Sequence, residues 1–269
     1  MTEILARPKK RLGQNFLVDK KVVADLVSAA ELTKKDVVVE VGAGAGVLTK
    51  ELAERAGRVF AFEIDHDLIP VLKKELAGFT NVEIVGQDFL KVDNQKSSNY
   101  LALHSAEVFD DFNFKLVGSI PYQITSPLIH KLLTFEPNPS LVVLLIQKEV
   151  AEKITAKPPK ATYLSNIAKL LGEARIVRFV SKNSFWPVPE VDGAIIKWKI
   201  EDRTCLPARQ GWKIDNEKFL EFLHRGFQNP RKMLRRKFDP KILEECGIAP
   251  TQRAQALELE DWLKLHLTQ

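Results

Sequence analysis

The chain has 269 residues, enough for one large domain or for a medium domain with a smaller one. Hydrophobic residues make up 45% of it, which argues against disorder, and a formal net charge of +5 is too modest to identify a polyanionic partner by itself. No stretch approaches the ~18 to 20 apolar residues of a membrane span, and the N-terminal residues lack the apolar core of a secretory signal, so we expect a cytoplasmic protein with no membrane partner.

Helix and strand signals alternate along the first part of the chain. A helical spacing over residues 20–32 precedes a β-branched run at 37–41, and a glycine-rich turn then leads into a helix from about residue 48. Further strand signals follow at 58–65, 82–88, 114–120 and 140–147, with helix signals at 66–76 and 125–135. The β-α-β-α-β order predicts an α/β fold with a doubly wound, mostly parallel sheet. Ser126 is the predicted cap of the helix at 125–135, with Pro127 at its first position.

The later part of the chain changes character. Residues 93–113 are polar and predict a loop or a weak helix, while helical signals at 148–155 and 162–173 precede two closing strands at 173–180 and 192–200. From about residue 216 the tail is charged and helical. We therefore predict two domains, 1–205 with the sheet and 206–269 all helical. The cysteines Cys205 and Cys246 match no metal spacing, so we expect no metal site.

Three successive strand ends carry residues suited to a nucleoside. The segment VEVGAGAG ends a strand and opens a helix with Gly42, Gly44 and Gly46 in G-x-G-x-G spacing. Glu63, at the next strand end, suits ribose hydroxyls, and Asp88, at the third, suits an adenine amine. Singly, each has a plainer explanation as a tight turn, a helix cap or a surface charge. Together they favour S-adenosylmethionine, which carries no phosphates, and hence a class I methyltransferase.

The fourth strand ends in KLVGSIPYQIT, residues 115–125, where a hydroxyl, a proline and an aromatic ring follow a buried strand. In a class I methyltransferase this exit faces the methyl group of the cofactor. The segment is therefore the predicted place for the reacting group of the substrate.

Motifs that run in order along nearly the whole chain resemble the small-subunit ribosomal RNA adenine dimethyltransferases, the family whose loss gives kasugamycin resistance. The motifs are GQNFL (13–17), VEVGAGAGVLT (39–49), FEID (62–65), GQDFL (86–90), SIPYQITSPLI (119–129), LLIQKEVAEKI (144–154), FWPVPEVDGAII (185–196) and GFQNPRKMLRRKF (226–238). The resemblance implies a Rossmann-like methyltransferase fold with a small helical domain. It also implies S-adenosylmethionine as cofactor and transfer of two methyl groups to each of two adjacent adenines near the 3′ end of the RNA.

The resemblance also implies site residues. The cofactor-binding set is Asn15, Leu17, Gly42, Gly44, Gly46, Glu63, Ile64, Asp88, Phe89 and Ser119. For catalysis, Ser119 Oγ and the Ile120 carbonyl would accept hydrogen bonds from the adenine amine, and Pro121 would fix the turn. Tyr122 would stack on the base, and Phe185 would close its other face. Ser119 departs from the family, which usually has asparagine there, and this puts the rate and the second methylation in question. For Tyr122 and Phe185 the simpler alternative is that the ring packs in the core. Core packing is also our interpretation of Trp186, Trp198, Trp212 and Trp262.

Basic residues form two clusters that flank these motifs. The first is Arg7, Lys9, Lys10 and Arg11, and the second includes Arg225, Arg231, Lys232, Arg235, Arg236, Lys237 and Lys241. Such a run is often a solvated helix face, but two clusters beside a base pocket favour RNA phosphates. By resemblance, the partner is small-subunit ribosomal RNA in a preassembled subunit, and we expect a monomer.

The predicted function is S-adenosylmethionine-dependent N6,N6-dimethylation of small-subunit ribosomal RNA, coupled to ribosome biogenesis. One alternative is a large-subunit RNA adenine methyltransferase of the macrolide-resistance type. Another is a catalytically weak ribosome-assembly or RNA-binding factor of the same fold, which the serine at position 119 favours. A DNA methyltransferase is more distant, because the flanking motifs point elsewhere.

Overall fold

The computed structural model describes residues 8–92, 114–135, 137–200 and 216–269. Its main sheet has seven strands in the order β4-β3-β2-β5-β6-β9-β7. The strands of this sheet are β2 (Val37–Val41), β3 (Arg58–Phe62), β4 (Val82–Val85), β5 (Phe114–Ser119), β6 (Leu141–Gln147), β7 (Gly172–Val180) and β9 (Gly193–Ile200). A separate ribbon pairs β1 (Phe16–Leu17) with β8 (Phe185–Trp186) in antiparallel register.

The helices, again in chain order, are α1 (Lys20–Ala29), α2 (Val47–Arg55), α3 (Ile69–Glu75), α4 (Thr125–Leu132), α5 (Lys148–Ile154), α6 (Tyr163–Leu171), α7 (Asn216–Phe227), α8 (Pro240–Glu245) and α9 (Leu259–Thr268). Pro70 lies in the first turn of α3, where proline is tolerated. Ser126 is not a cap: α4 already begins at Thr125, and its N-cap residue Ile124 makes no side-chain hydrogen bond. The preceding turn, residues 122–124, is a 3₁₀ helix that continues directly into α4, so the helix needs no polar side chain to start it.

The sheet confirms the predicted α/β class. Strands β4, β3, β2, β5 and β6 pair in parallel, and β9 joins β6 in antiparallel register. All five residues of β2 are buried, as a run covered on both faces requires. Because parallel strands place their carboxyl ends at one edge, the segments after β2, β3, β4 and β5 meet there. The predicted segment 93–113 lies outside the described residues.

The chain divides into two compact units, residues 1–151 with 175–200 and residues 152–174 with 201–269. The sequence prediction differs at 152–174, which it placed in the first domain. These residues belong to the second unit because α6 packs against α7 and α9, and Ala161 N–H donates to the Gln255 carbonyl (3.0 Å). The predicted boundary at residue 205 lies outside the described residues.

The second unit is helical and has an aromatic core. Phe222 lies against Phe238 (ring centroids 5.3 Å apart) and against Trp262 (6.1 Å). A methyl group at Gly226 of α7 would lie 2.4 Å from the Trp262 ring, so only glycine lets the indole approach the helix this closely. Across the described ranges, no helix is both long and apolar enough to cross a bilayer.

Candidate active site

The turn between β2 and α2, residues 42–46, is the centre of the site and is called the glycine loop below. Gly42, Gly44 and Gly46 all have positive φ angles, of +79°, +58° and +83°. The Gly42 and Ala43 N–H groups donate to the Phe62 carbonyl (2.9 and 3.0 Å), which fastens the loop to the end of β3. The loop therefore has a fixed shape that side chains would strain.

Glu63, directly after β3, braces the glycine loop. It is 6% exposed, and its two carboxylate oxygens accept from the N–H groups of Gly44 and Asp65, each at 2.8 Å. Burial raises the pKa of Glu63, although the Asp65 and Gly44 amides act in the opposite direction. Each carboxylate oxygen has a second lone pair, so the predicted contact with ribose hydroxyls remains chemically open.

A second acid, Glu40, is buried below the loop. It is fully buried in β2, and neither of its carboxylate oxygens has a hydrogen-bond partner among the described residues. The hydroxyl of Thr49 in α2 is also buried and acts to lower the pKa of Glu40, against the larger effect of burial. Burial raises the pKa of Glu40 to about 8, so this carboxyl is largely protonated at neutral pH.

The N-terminal segment folds over the loop and meets the fourth strand end. A methyl group at Gly13 would lie 3.5 Å from Pro121 Cβ, and one at Gly44 would lie 3.4 Å from the Phe16 ring. Asn15, predicted to contact the cofactor, donates from Nδ2 to the Gly13 carbonyl (3.2 Å). The motifs GQNFL, VGAGAG and SIPYQ are thus brought together.

Asp65 clamps this segment in place. It is 3% exposed and accepts from Lys9 Nζ (2.5 Å) and from Gln14 Nε2 (2.7 Å). Burial alone would raise the pKa of Asp65, but the Lys9 ammonium and the Gln14 amide hold it below its ordinary value. Lys9 also pairs with Asp67 at 2.5 Å. The prediction that Lys9 binds RNA is therefore at odds with the structure, because the Lys9 ammonium is paired with the carboxylates of Asp65 and Asp67.

The predicted catalytic turn leaves β5 beside the glycine loop. A methyl group at Gly42 would lie 3.6 Å from the Ser119 carbonyl oxygen and 3.9 Å from Pro121 Cδ. Within the described residues, no group donates to the Ile120 carbonyl, and Ser119 Oγ makes no hydrogen bond. Ser119 Oγ and the Ile120 carbonyl oxygen are therefore both available to accept a hydrogen bond from an incoming amine.

Tyr122 follows in a 3₁₀ turn and is half-buried. Its hydroxyl is buried without a partner in the described part of the chain, and burial raises the pKa of this phenol. A buried O–H without an acceptor is costly, so this position favours a ligand that supplies one.

The remaining predicted cofactor residues lie at the same edge or below it. Asp88 caps a 3₁₀ turn by accepting from Leu90 N–H (3.0 Å), which leaves its second oxygen available, and Ile64 is 45% exposed. Phe89 is 3% exposed and packs against the Phe62 ring at 5.2 Å. Leu17 is 8% exposed and belongs to the hydrophobic core.

The exposure of Phe185 and Trp186 is the reverse of what the sequence suggested. Phe185 is 4% exposed and belongs to the same core as Leu17, so little of its ring is open to solvent. Trp186, interpreted as packing, is 45% exposed. The cause is the alternation of β8, which turns one residue inward and the next outward. Trp198 and Trp262 are fully buried, as expected, and Trp212 lies outside the described residues.

The basic residues of the tail surround a pocket of about 860 Å³ in the second unit. Seven of its ten lining residues are cationic, and the lining, called the basic pocket below, is Arg225, Gln228, Asn229, Arg231, Lys232, Met233, Arg235, Arg236, Lys237 and Arg253. The predicted residues Arg231, Lys232, Arg235 and Arg236 are exposed there. A concentration of positive charge of this kind attracts phosphates.

Two members of the basic pocket also hold the fold together. Arg225 lies over the rings of Phe222 and Phe238, at 5.4 and 5.3 Å, and donates to Gln269 Oε1 (2.8 Å). Lys237 donates to the Arg225 and Gly226 carbonyls (2.9 and 2.8 Å), and burial lowers its pKa. In the first cluster Lys10 lies in an exposed 3₁₀ turn with Arg11, whereas Arg7 lies outside the described residues.

Sequence reasoning missed several residues that shape these sites. Asp65 and Gln14 lie inside the motifs FEID and GQNFL. A polar side chain at a strand end or in a turn is a signal that could have identified both residues. Arg253 is remote from the basic run, and a β-bridge to Met233 brings it to the pocket. No sequence pattern indicated that pairing.

The residues around the glycine loop fit S-adenosylmethionine. This cofactor carries a sulfonium and an ammonium group, and Glu63 is a buried acid at the glycine loop whose burial a cation would offset. The side chains that would hold it are Glu63, Asp88 and Asn15, which lie around the glycine loop.

Comparison with known proteins gives the same assignment. A family model described as ribosomal RNA adenine dimethylase matches residues 6–268. The chain is 38% identical to ribosomal RNA small subunit methyltransferase A of Thermotoga maritima, with 97% of this chain and 85% of the relative covered. It is 36% identical to the protein of the same name from Clostridium botulinum strain Langeland, with 95% and 92% covered.

Solved structures agree with this. A dimethyladenosine transferase from Plasmodium falciparum has a TM-score of 0.74 at 25% identity and covers 93% of this chain and 95% of its own. The 23S rRNA methyltransferase ErmE has a TM-score of 0.68 at 31% identity, with 94% and 99% covered. With the family model spanning nearly the whole chain, the conclusion is direct: this protein belongs to the ribosomal RNA adenine dimethylase family.

Proposed function

We propose that the chain uses S-adenosylmethionine to methylate, twice each, two adjacent adenines in the 3′-terminal hairpin of small-subunit ribosomal RNA. Membership of the adenine dimethylase family supports the reaction, and the names of the curated relatives support the small-subunit RNA. The observation that carries the proposal is the meeting of the glycine loop with Ser119 and Pro121. A cofactor site and a base site then share one edge of the sheet.

The chemistry divides between cofactor and chain. When bound, S-adenosylmethionine supplies a methyl carbon that is already strongly electrophilic. The exocyclic amine of adenine is a poor nucleophile, because its lone pair is delocalised into the ring. The chain must therefore orient this amine and favour a tetrahedral nitrogen.

Ser119 and Ile120 perform this orientation. Ser119 Oγ and the Ile120 carbonyl accept the two N–H bonds of the amine, which localises the lone pair and points it towards the methyl group. Pro121 holds the turn, and the Tyr122 ring stacks on the base. After the first transfer one N–H remains, so the second transfer depends on a single acceptor. A serine reaches less far than the asparagine usual in the family, so the second methylation is the more sensitive step.

The second unit holds the RNA by electrostatics. The exposed cations of the basic pocket neutralise phosphates, and this term falls steeply with salt. The target adenine leaves its stack in a hairpin loop, where unstacking costs least. A preassembled small subunit as substrate, a monomeric enzyme and a cytoplasmic location remain predictions.

One experiment tests the proposal. The protein is incubated with labelled S-adenosylmethionine and, in separate reactions, undermethylated small subunits, free small-subunit RNA and large-subunit RNA. Dimethyladenosine mapped to adjacent adenines of the small-subunit hairpin is the expected result. Label only in large-subunit RNA would instead favour the second candidate, which the structural likeness to ErmE supports. Binding to small subunits without label would favour an assembly factor and would contradict the proposal.

A further inference from the structure

The ribbon of β1 and β8 presents an aromatic pair on its outer face. Residues alternate across a strand, so Leu17 and Phe185 point into the core while Phe16 and Trp186 point away from it. The Phe16 and Trp186 rings are stacked, with centroids 6.4 Å apart and planes inclined by 20°. Trp186 is still 45% exposed, so Phe16 covers only part of the indole.

This pair is attached to the candidate active site. The Phe16 ring lies against Gly44 of the glycine loop, 3.4 Å from where a methyl group would stand. The turn before β1 is tied to the catalytic turn, because Gln123 Nε2 donates to the Arg11 carbonyl (3.3 Å). The Phe16 ring therefore lies between Trp186 and the glycine loop, which is assigned to the cofactor.

The surroundings of Trp186 suit a nucleic-acid base. Val18, Val188 and Val191 are 48%, 56% and 44% exposed and extend the apolar surface along the ribbon and the following loop. Lys10 and Arg11 lie exposed in the turn that precedes β1. An exposed aromatic face beside cations is how proteins hold unstacked bases of single-stranded RNA.

We infer that Trp186, backed by Phe16, is a stacking platform for the RNA base next to the adenine being methylated. The inference rests on the proposed function, because the target adenine itself must reach Ser119 and Ile120. The substrate has a second adenine adjacent to the first, and the platform holds one while the other reacts. Trp186 is thus a substrate-positioning residue.

The test uses the full-length protein and variants at the exposed position. Trp186→Ala should raise the KM for undermethylated small subunits roughly 10-fold with little change in kcat, the scale of one lost base stack. Trp186→Phe, which keeps an aromatic face, should stay near wild type. Phe179→Ala removes another exposed ring, on β7 and outside this surface, so it is the matched control and should behave like wild type.

A second readout does not depend on turnover. A hairpin RNA with 2-aminopurine in place of the adenine next to the target should lose fluorescence on binding to wild type and to Trp186→Phe, and keep it with Trp186→Ala. Unchanged KM and quenching in Trp186→Ala would overturn the inference, as would an equal loss in Phe179→Ala. If wild type methylates no RNA, the proposed function fails, and the quenching alone still decides whether the platform exists.

Discussion

The acidic side chain of Glu63, beside the glycine loop, is buried and hydrogen bonded, whereas the basic pocket of the second unit exposes its charged side chains to solvent. Glu63 is 6% exposed and bonded to two backbone amides, while Arg231, Lys232, Arg235 and Arg236 are exposed. The first arrangement fixes atoms to within fractions of an ångström, and the second provides attraction with little geometric demand. We therefore expect changes in the first region to slow methyl transfer without weakening RNA binding. Changes in the basic pocket should weaken RNA binding without slowing methyl transfer.

The largest effect is expected for Ser119→Ala. It removes one of the two acceptors for the amine, and the loss should lower kcat by at least about 100-fold, as for other preorganised hydrogen-bonding groups. Affinity for small subunits, measured by filter binding, should not change. Ser126→Ala in the same segment is the control, because that side chain is exposed and caps nothing. An unchanged kcat in Ser119→Ala would contradict this division between catalysis and RNA binding.

The reverse pattern is expected from the basic pocket. Changing Arg231, Lys232, Arg235 and Arg236 together to Gln should reduce the slope of log affinity against log salt by about 3, at ~0.7 to 0.9 per phosphate contact. The kcat at saturating subunits should stay within about twofold. The matched control removes four exposed lysines of the first unit, Lys20, Lys21, Lys73 and Lys74, and so lowers the net charge equally. Equal salt slopes for the two quadruple variants would show that only net charge matters.

A smaller effect on cofactor binding is expected for Gly44→Ala. The φ of +58° disfavours any side chain, and the added methyl would press on the Phe16 ring at 3.4 Å. Calorimetric affinity for S-adenosylmethionine should fall roughly 10-fold, equivalent to ~1.4 kcal/mol. Gly78→Ala serves as control, since nothing lies within 4 Å of its added carbon. Unchanged affinity in Gly44→Ala would mean that the loop does not bind the cofactor.

A final effect, on folding stability rather than on activity, is expected from the buried Glu40. The pKa of Glu40 is about 8 in the folded chain and near its ordinary 4.5 when unfolded. Between these values the folded chain binds more protons, so stability falls as pH rises. The melting temperature of Glu40→Gln relative to wild type should therefore increase from about pH 5 to about pH 8. Glu54→Gln, at an exposed position, should show no such trend, and a flat difference for Glu40→Gln would exclude the buried titration.

The sequence predicted the sheet well and the exposure of single side chains poorly. Strand β2 and the order of elements followed from β-branched runs and glycines, which are local signals. Phe185 and Trp186 are neighbours of similar character, and only the pairing of β8 with β1 decides which ring faces the core. Lys9 likewise looked like an RNA contact until the fold brought Asp65 and Asp67 to it. Contacts between residues distant in the chain carry no local signature.

The most direct test of this division between catalysis and RNA binding is to identify the methylated nucleosides that the protein forms. Undermethylated small subunits are incubated with labelled S-adenosylmethionine and either wild type or Ser119→Ala, and the digested RNA is resolved by mass spectrometry. We expect dimethyladenosine from wild type, and subunits bound but almost unlabelled with Ser119→Ala. Wild type that binds subunits without forming any methyladenosine would contradict the account.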